Sequence, residues 1–236
     1  MSRNTAKYRF ELPDKTASFG MPVASLIQTG APSGEVKDGT TDMVIRPYTP
    51  ITPKDAVGYL DLIVKTYPEG RMSQHIAGLG VGDKLSMKGP FVKFEYRANM
   101  KKEIGMIAGG TGIAPMLQVI EEILSNPEDR TTASLLFANV TQEDILLRQR
   151  IDSLAASHSN FQVTYVLDKP PVFWSGRAGY ITAEMLRETM PSPSEDAWIL
   201  VCGPPPMMQS VSGSKAKDLS QGELSGILQE LGYTSQ

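Results

Sequence analysis

The chain is poor in the residues that build metal centres and disulfides. It has one cysteine, Cys202, and two histidines among 236 residues. A lone cysteine forms no internal disulfide, and with so few histidines it makes a poor metal site. No metal is expected, and the thiol usage points to a reducing compartment. Long apolar runs are also missing. Nothing approaches the ~20 residues that a membrane-spanning helix needs. The opening "MSRNTAKYRF" reads neither as a signal peptide nor as a clear transit peptide. An excess of one charge is absent too: 23 basic and 26 acidic residues leave a net charge of -3. That excludes a broad nucleic-acid surface and leaves room for a local basic patch. There is no internal repeat and no low-complexity tract.

What remains is an ordinary soluble composition, 41% hydrophobic and 21% charged, long enough for two small domains. The N-terminal part reads as β. "KYRFEL" alternates Tyr8, Phe10 and Leu12 against Lys7, Arg9 and Glu11. "MVIRPYTP", "GYLDLIVKTY" and "DKLSMKGPFVKFEY" follow, separated by Pro, Gly and Asp turns. Many short strands of this kind predict a small antiparallel barrel or sandwich. One short helix is expected at residues 73–78, with Ser73 as its cap. Near "RANMKKE" the pattern changes. "IGMIA" precedes a helix over residues 115–126, "ASLLFANV" precedes one over "EDILLRQRIDSLAA", "FQVTYVLD" leads through a loop to "TAEMLRETM", and "AWILVCG" leads into "PPPMMQSV". Strands alternating with helices predict a parallel sheet of the nucleotide-binding class. The expected domains are 1–100 and 101–236.

Three stretches carry chemistry. In "IGMIAGGTGIAP" a buried strand runs into Gly109, Gly110, Thr111 and Gly112, and a helix opens near Pro115. Glycines admit a ligand close to the backbone, and a helix N-terminus offers free N–H groups to phosphate. The spacing departs from the dinucleotide fingerprint, because Pro115 stands where the last glycine would be. The next strand ends in Asn139 rather than an acid. In "ILVCGPPPMM" a strand stops at Cys202 and Gly203, and three prolines set the backbone direction. Alone, such a cysteine is most often a small buried hydrophobe. In "RPYTP", an arginine, an aromatic and a hydroxyl are set between prolines, more than a turn requires.

With "GRMS" after it, this set in this order resembles the NADH–cytochrome b5 reductase family, within the ferredoxin-reductase-like flavoenzymes. The resemblance runs from "TAKYRFEL" to "GELSGILQELGY" and is nearest the fungal and plant branch, including mitochondrial forms. It implies an FAD-binding antiparallel β-barrel over residues 1–100, followed by an NAD-binding α/β domain over 101–236. It implies a hydride passed from NADH to flavin, then single electrons to a haem protein, most readily cytochrome b5.

The resemblance also implies roles. Arg46 pairs with the FAD pyrophosphate, a task suited to a guanidinium fork. Tyr48 packs on the isoalloxazine, and Thr49 hydrogen-bonds near flavin N5. Pro47 and Pro50 hold these side chains in place. Gly70, Arg71, Met72 and Ser73 meet the pyrophosphate. Ile63, Lys65 and Tyr67, which alternation would place on one strand face, line the adenine side of FAD or the nucleotide phosphates. Thr111 touches both cofactors, with Gly110, Gly112 and Pro115 admitting NADH. Cys202 lies beside the rings, and Gly203, Pro204 and Met207 shape the pocket. Asp168 binds the adenine ribose and Tyr180 packs on the adenine. Thr49 and Cys202 are the expected catalytic pair, neither acting as a nucleophile.

The resembling family has a strand before "TAKYRFEL", after an anchor or targeting segment, and ends in a short hydrophobic strand. Both strands are missing from this sequence. Membrane association is expected only through such a segment, at a mitochondrial or endoplasmic reticulum membrane, with a cytosolic location as the other option. A monomer is expected. Basic residues in "DKLSMKGPFVKFEYRANMKK" (Lys84, Lys88, Lys93, Arg97, Lys101, Lys102), with Arg71, are expected to meet the acidic rim of cytochrome b5, docking near Arg71, Lys101 and Lys102. Two other readings stay open: a reductase module like that of nitrate reductase, and a non-catalytic, partner-binding relic of the fold.

Overall fold

The computed structural model describes residues 2–37, 40–218 and 220–235. The chain forms two compact units, Met1–Glu95 and Tyr96–Gln236.

The first unit contains β1 (Thr5–Glu11), β2 (Ser25–Lys37), β3 (Thr40–Tyr48), β4 (Tyr59–Lys65), α1 (Arg71–Ala77) and β5 (Ser86–Val92). All pairings are antiparallel and form two ladders, β1–β4 and β3–β2–β5. One core joins the two ladders: Ile27 and Ala31 from β2, Leu60, Leu62 and Val64 from β4, and Met72 and Ile76 from α1. In β1 the period-2 pattern holds, with Tyr8 and Phe10 packed on that core while Arg9 and Glu11 are exposed. β4 does not alternate. Residues 60–64 are all buried, so both faces are covered. Within that run Asp61 is 3% exposed. Arg9, opposite it in register, grips its carboxylate with two bonds of 2.8 Å, and Lys7 adds one of 3.3 Å.

The central strand β2 is absent from the sequence reading. Gly30 and Pro32 interrupt its apolar pattern, and its register shifts between Leu26 and Gln28 and between Pro32 and Val36. Irregularities of that kind erase the alternation on which a strand is read. α1 also corrects the sequence reading. It begins at Arg71 with Gly70 as N-cap, so Ser73 is not its cap. The Ser73 hydroxyl instead donates to the Gly70 carbonyl (2.9 Å) and accepts from the Tyr67 N–H (3.1 Å), tying the helix to its entry loop.

The second unit runs β6 (Glu103–Gly109), α2 (Ile113–Ser125), β7 (Thr132–Asn139), α3 (Arg148–Ser157), β8 (Phe161–Leu167), β9 (Arg177–Ala178), α4 (Ala183–Thr189), β10 (Ala197–Cys202), α5 (Pro205–Val211) and α6 (Gly226–Glu230). The sheet is parallel with order β10-β6-β7-β8-β9. Strand order reverses beside β6. Its carboxyl edge next to β10 is therefore the switch point where such sheets bind ligands. One sheet face is covered by α4, α5 and α6, through Leu186, Val211 and Leu228 packed on Ile107, Leu136 and Val166.

Two helix starts differ from the reading. α2 opens at Ile113, led in by a 3-10 turn at Gly110–Gly112, so Pro115 stands inside its first turn. The stretch read as one helix from Glu143 is divided. Thr141 and Asp144 close a capping box around a 3-10 turn, Leu147 takes φ 56°, and α3 follows. The entry to this unit is pinned by Asp129, which accepts from the Tyr96 hydroxyl (2.6 Å) and from the N–H groups of Asn99 and Thr131 (3.2 and 3.0 Å). Among the described residues no helix is long and apolar enough to cross a membrane, and no cluster of His, Cys, Asp or Glu could hold a metal ion.

Candidate functional site

In the first unit the residues of interest sit at the end of β3 and around α1. Arg46, Pro47 and Tyr48 lie within β3 itself, opposite Thr29, Gln28 and Ile27. β3 is the edge of its ladder, which is where a strand tolerates a residue without an N–H. Buried Thr29 fixes this stretch by donating to the Arg46 carbonyl at 3.2 Å. The Arg46 guanidinium is exposed, and one of its nitrogens bonds the neighbouring Ile45 carbonyl at 2.8 Å. Tyr48 leans on the core, and burial pushes its hydroxyl pKa up, against the pull of Arg46. Thr49 follows, half-buried.

Gly70 leads into α1, where no side chain caps the first-turn N–H groups. A Cβ at Gly70 would stand 2.4 Å from the Ser73 hydroxyl, so glycine is needed for this tight entry. Arg71 is exposed, whereas Met72 and Ser73 are buried. Ile63, Lys65 and Tyr67 do not share one strand face. β4 ends at Lys65, Ile63 is 5% exposed inside the core, and Tyr67 belongs to the loop before α1. The alternation argument fails because β4 is covered on both sides.

In the second unit, "GGTG" and "CGPPPM" meet. β6 and β10 are paired in register, Ala108 beside Cys202. A Cβ on Gly112 would stand 2.1 Å from the Cys202 carbonyl oxygen, and one on Gly203 would meet Met207 Cε at 2.4 Å. A Cβ on Gly109 would strike Met207 Sδ at 2.7 Å and Pro204 at 2.8 Å. The two loops interlock at distances only glycine allows. Gly110 differs from these. Its φ is +53°, and nothing lies within 4 Å of where its Cβ would be, so it borders open space. Thr111 beside it is half-buried, and α2 begins with no side-chain cap. Burial pushes the Cys202 thiol pKa up, with Lys215 opposing, so the group stays protonated and weakly nucleophilic near neutral pH.

Further along the same carboxyl edge, Asp168 follows β8, and its N–H donates to the Asn139 carbonyl at 3.1 Å. Its carboxylate has no hydrogen-bond or ion-pair partner among the described residues. Tyr180 is 81% exposed, after Gly179 at φ +89°. Asn139 adds what the reading of motifs passed over. Its side-chain Nδ2 and Oδ1 are buried and lack any partner. In the sequence it registered only as a missing acid.

Of the basic residues, Lys102 pairs with Asp196, while Lys101 donates to the Glu195 carbonyl and lies 5.3 Å from the Trp198 ring centroid. Lys84, Lys88 and Lys93 are exposed on the first unit.

These groups suit two cofactors by their chemistry. An exposed guanidinium, uncapped helix N–H groups and a half-buried tyrosine suit a flavin dinucleotide. A glycine cradle at a parallel-sheet switch point, with an unpartnered carboxylate along the same edge, suits a nicotinamide dinucleotide. Together they define a two-domain, flavin- and nicotinamide-dependent oxidoreductase with the ferredoxin-reductase-like fold. Residues 1–96 match an oxidoreductase FAD-binding domain and residues 106–213 an oxidoreductase NAD-binding domain. An NADH-cytochrome b5 reductase-like protein of Arabidopsis thaliana is 54% identical over all of this chain and 72% of its own length. An NADH-cytochrome b5 reductase 2 of Aspergillus clavatus is 47% identical over 99% of this chain and 71% of its own. The cytochrome b5 reductase domain of Ulva prolifera nitrate reductase superposes with a TM-score of 0.80 at 34% identity, over 89% of this chain and 85% of that one. The chain belongs to the NADH–cytochrome b5 reductase family.

Proposed function

We propose that the enzyme reduces cytochrome b5 with NADH through FAD. When bound, FAD accepts a hydride from NADH and releases electrons singly to the haem protein. The residues supply binding and orientation. Arg46 and the N–H groups opening α1 hold the FAD diphosphate. Tyr48 packs on the flavin, and Thr49 offers its hydroxyl near N5. Ile63, Lys65 and Tyr67 serve the adenine side, Lys65 and Tyr67 by direct contact and Ile63 from within the core. In the second unit Gly110, Thr111, Gly112 and Pro115 receive NADH. Cys202, Gly203, Pro204 and Met207 shape the nicotinamide pocket, and Asp168 and Tyr180 take the adenosine end. Hydride transfer needs the rings in near-attack geometry and no acid or base. The high thiol pKa supports a packing role for Cys202 rather than a covalent one.

The observation that carries this reading is the interlock of Gly112 with Cys202, 2.1 Å from a would-be Cβ to the carbonyl oxygen. It makes one site of two separate motifs. The test is optical. The purified protein is expected to be yellow and to bleach with NADH in the absence of oxygen. A colourless protein that ignores NADH would instead mark a non-catalytic relic.

The likeness to a nitrate reductase domain favours a second reading, a reductase module serving another acceptor. Rates with purified cytochrome b5, other haem proteins and ferricyanide separate the two. For docking, Arg71, Lys101 and Lys102 are proposed to face the acidic haem rim. Reversing Lys101 and Lys102 to Glu is expected to slow cytochrome b5 reduction at low salt and to leave ferricyanide reduction unchanged. Equal effects on both acceptors would remove these lysines from the surface. By the same reading the enzyme is a monomer working at a mitochondrial membrane, which sedimentation and cell fractionation check.

A further inference from the structure

The amide of Asn139 has no use in the unliganded fold. Its Nδ2 and Oδ1 are both buried, and neither finds a hydrogen-bond partner. Buried amides are otherwise satisfied almost without exception, so an orphan donor and acceptor on one side chain call for an explanation. The position narrows it. Asn139 is the last residue of β7. On one side, its neighbour Ala138 is in register with Gly109, so Asn139 is level with the Gly110 turn. On the other side it is in register with Leu167, and its carbonyl accepts the Asp168 N–H at 3.1 Å. It therefore stands midway along the carboxyl edge between the phosphate-type loop and the unpartnered carboxylate. Leu136 and Ala138 face the cluster covered by α4, α5 and α6, so alternation turns Phe137 and Asn139 to the opposite face. The residue is not a structural donor for β7, whose ladders are complete without it.

We infer that Asn139 is a binding side chain for the ribose–diphosphate stretch of NAD(H), a deepening that rests on the function proposed above. Nδ2 is a donor for a phosphate oxygen and Oδ1 an acceptor for a ribose hydroxyl. A group that only accepts or only donates would leave half of the amide unsatisfied. The two atoms are enclosed in the unliganded chain, so engagement takes a rotation of the side chain or a shift of the adjacent turn. That turn contains Gly110, whose Cβ position borders open space.

The test pairs stability with affinity in the FAD-loaded protein. Asn139→Leu removes the orphan amide at similar volume. Its melting temperature without NAD+ is expected to equal or exceed that of the wild type. Its affinity for NAD+, measured by titration calorimetry, is expected to fall at least tenfold. ADP-ribose, which lacks nicotinamide, is expected to show the same loss, while FAD content stays constant. Asn139→Ser, which keeps a shorter polar group, is expected to fall between, and it serves alone if the leucine variant does not fold. A lower melting temperature with unchanged NAD+ affinity would overturn the inference, because an enclosed water must then have satisfied the amide. Unchanged values in both measurements would overturn it too, as would a loss confined to NAD+ and absent with ADP-ribose. A wild-type protein that holds FAD yet binds no NAD+ would remove the dinucleotide reading itself, and this inference with it.

Discussion

In the first unit the groups expected to meet the flavin are side chains standing clear of the core, such as Arg46 and Tyr67. In the second unit the groups expected to meet NADH are mostly gaps where side chains are missing, at Gly109, Gly112 and Gly203. The first arrangement builds a ligand surface by addition and the second by close approach of two backbones. The difference has consequences for mutation. Truncating a projecting side chain removes one contact and leaves the scaffold. Filling a gap between backbones moves the scaffold itself. The units also differ in how they secure a buried acid. Asp61 is held by charged partners from a neighbouring strand, and Asp129 by a tyrosine hydroxyl and backbone N–H groups.

The largest effect is expected at Gly112. Its added Cβ would stand 2.1 Å from a carbonyl oxygen that no rotamer change can move. Overpacking of this kind costs about 1–3 kcal/mol, and misplacing a reacting group by about 1 Å costs about a hundredfold in rate. Gly112→Ala is expected to slow flavin bleaching by NADH at least about a hundredfold, with normal FAD content. Gly110→Ala, strained at φ +53° but facing open space, is expected to lose less. Stopped-flow reduction of both variants compares them. Equal rates would show that the close approach is not what sets the site.

Next is cofactor choice. A 2′-phosphate on NADPH would face the Asp168 carboxylate. Two unit charges about 4 Å apart repel by about 4 kcal/mol at an effective dielectric of about 20, and exposure reduces that. A preference for NADH of tens to a few hundredfold is expected, narrowed by Asp168→Thr. Should the variant keep the full preference in steady-state assays, another group is the selector.

Arg46→Ala tests the additive half of the comparison. A charge-assisted bond contributes about 1.5–3 kcal/mol, so FAD affinity is expected to drop by about one to two decades while NAD+ binding persists. Flavin released on dilution reads this directly. Retention of FAD at wild-type dilution would contradict the role.

The smallest effects are expected from the two buried acids. Burial raises both carboxyls, but the Arg9 and Lys7 donors at Asp61, and the Tyr96, Thr131 and Asn99 donors at Asp129, outweigh it and leave both below the usual carboxylate range. A depressed folded value adds stability that is fully present above the unfolded pKa of about 3.9 and is lost as pH falls through the folded value. Asp61→Asn and Asp129→Asn are each expected to cost about 1–3 kcal/mol near neutral pH. The gap to wild type is expected to shrink below about pH 4. Melting curves at neutral pH and near pH 3 check both, and a gap independent of pH would show that shape rather than charge holds these sites.

The sequence by itself determined the class and order of the two units, because alternation in β1, the strand–helix pattern after residue 103 and the glycine-rich turn are local signals. It also pointed to Arg46, Asp168 and Cys202 as residues worth following. Other features depended on the tertiary structure. β2 was illegible because Gly30, Pro32 and its register shifts break the period, yet pairing with strands on both sides makes it central. Ile63 and Tyr67 were read onto one face because alternation assumes that one face meets solvent, and burial of residues 60–64 shows that neither does. Ser73 looked like a cap until the chain path set it third in its helix. The contact of Gly112 with Cys202 joins residues far apart in the chain, and the orphan amide of Asn139 exists only once burial removes water from it. Propensity and period act over a few residues. Burial, register and close approach are properties of the folded whole, and they decide which of the locally plausible residues can serve a site.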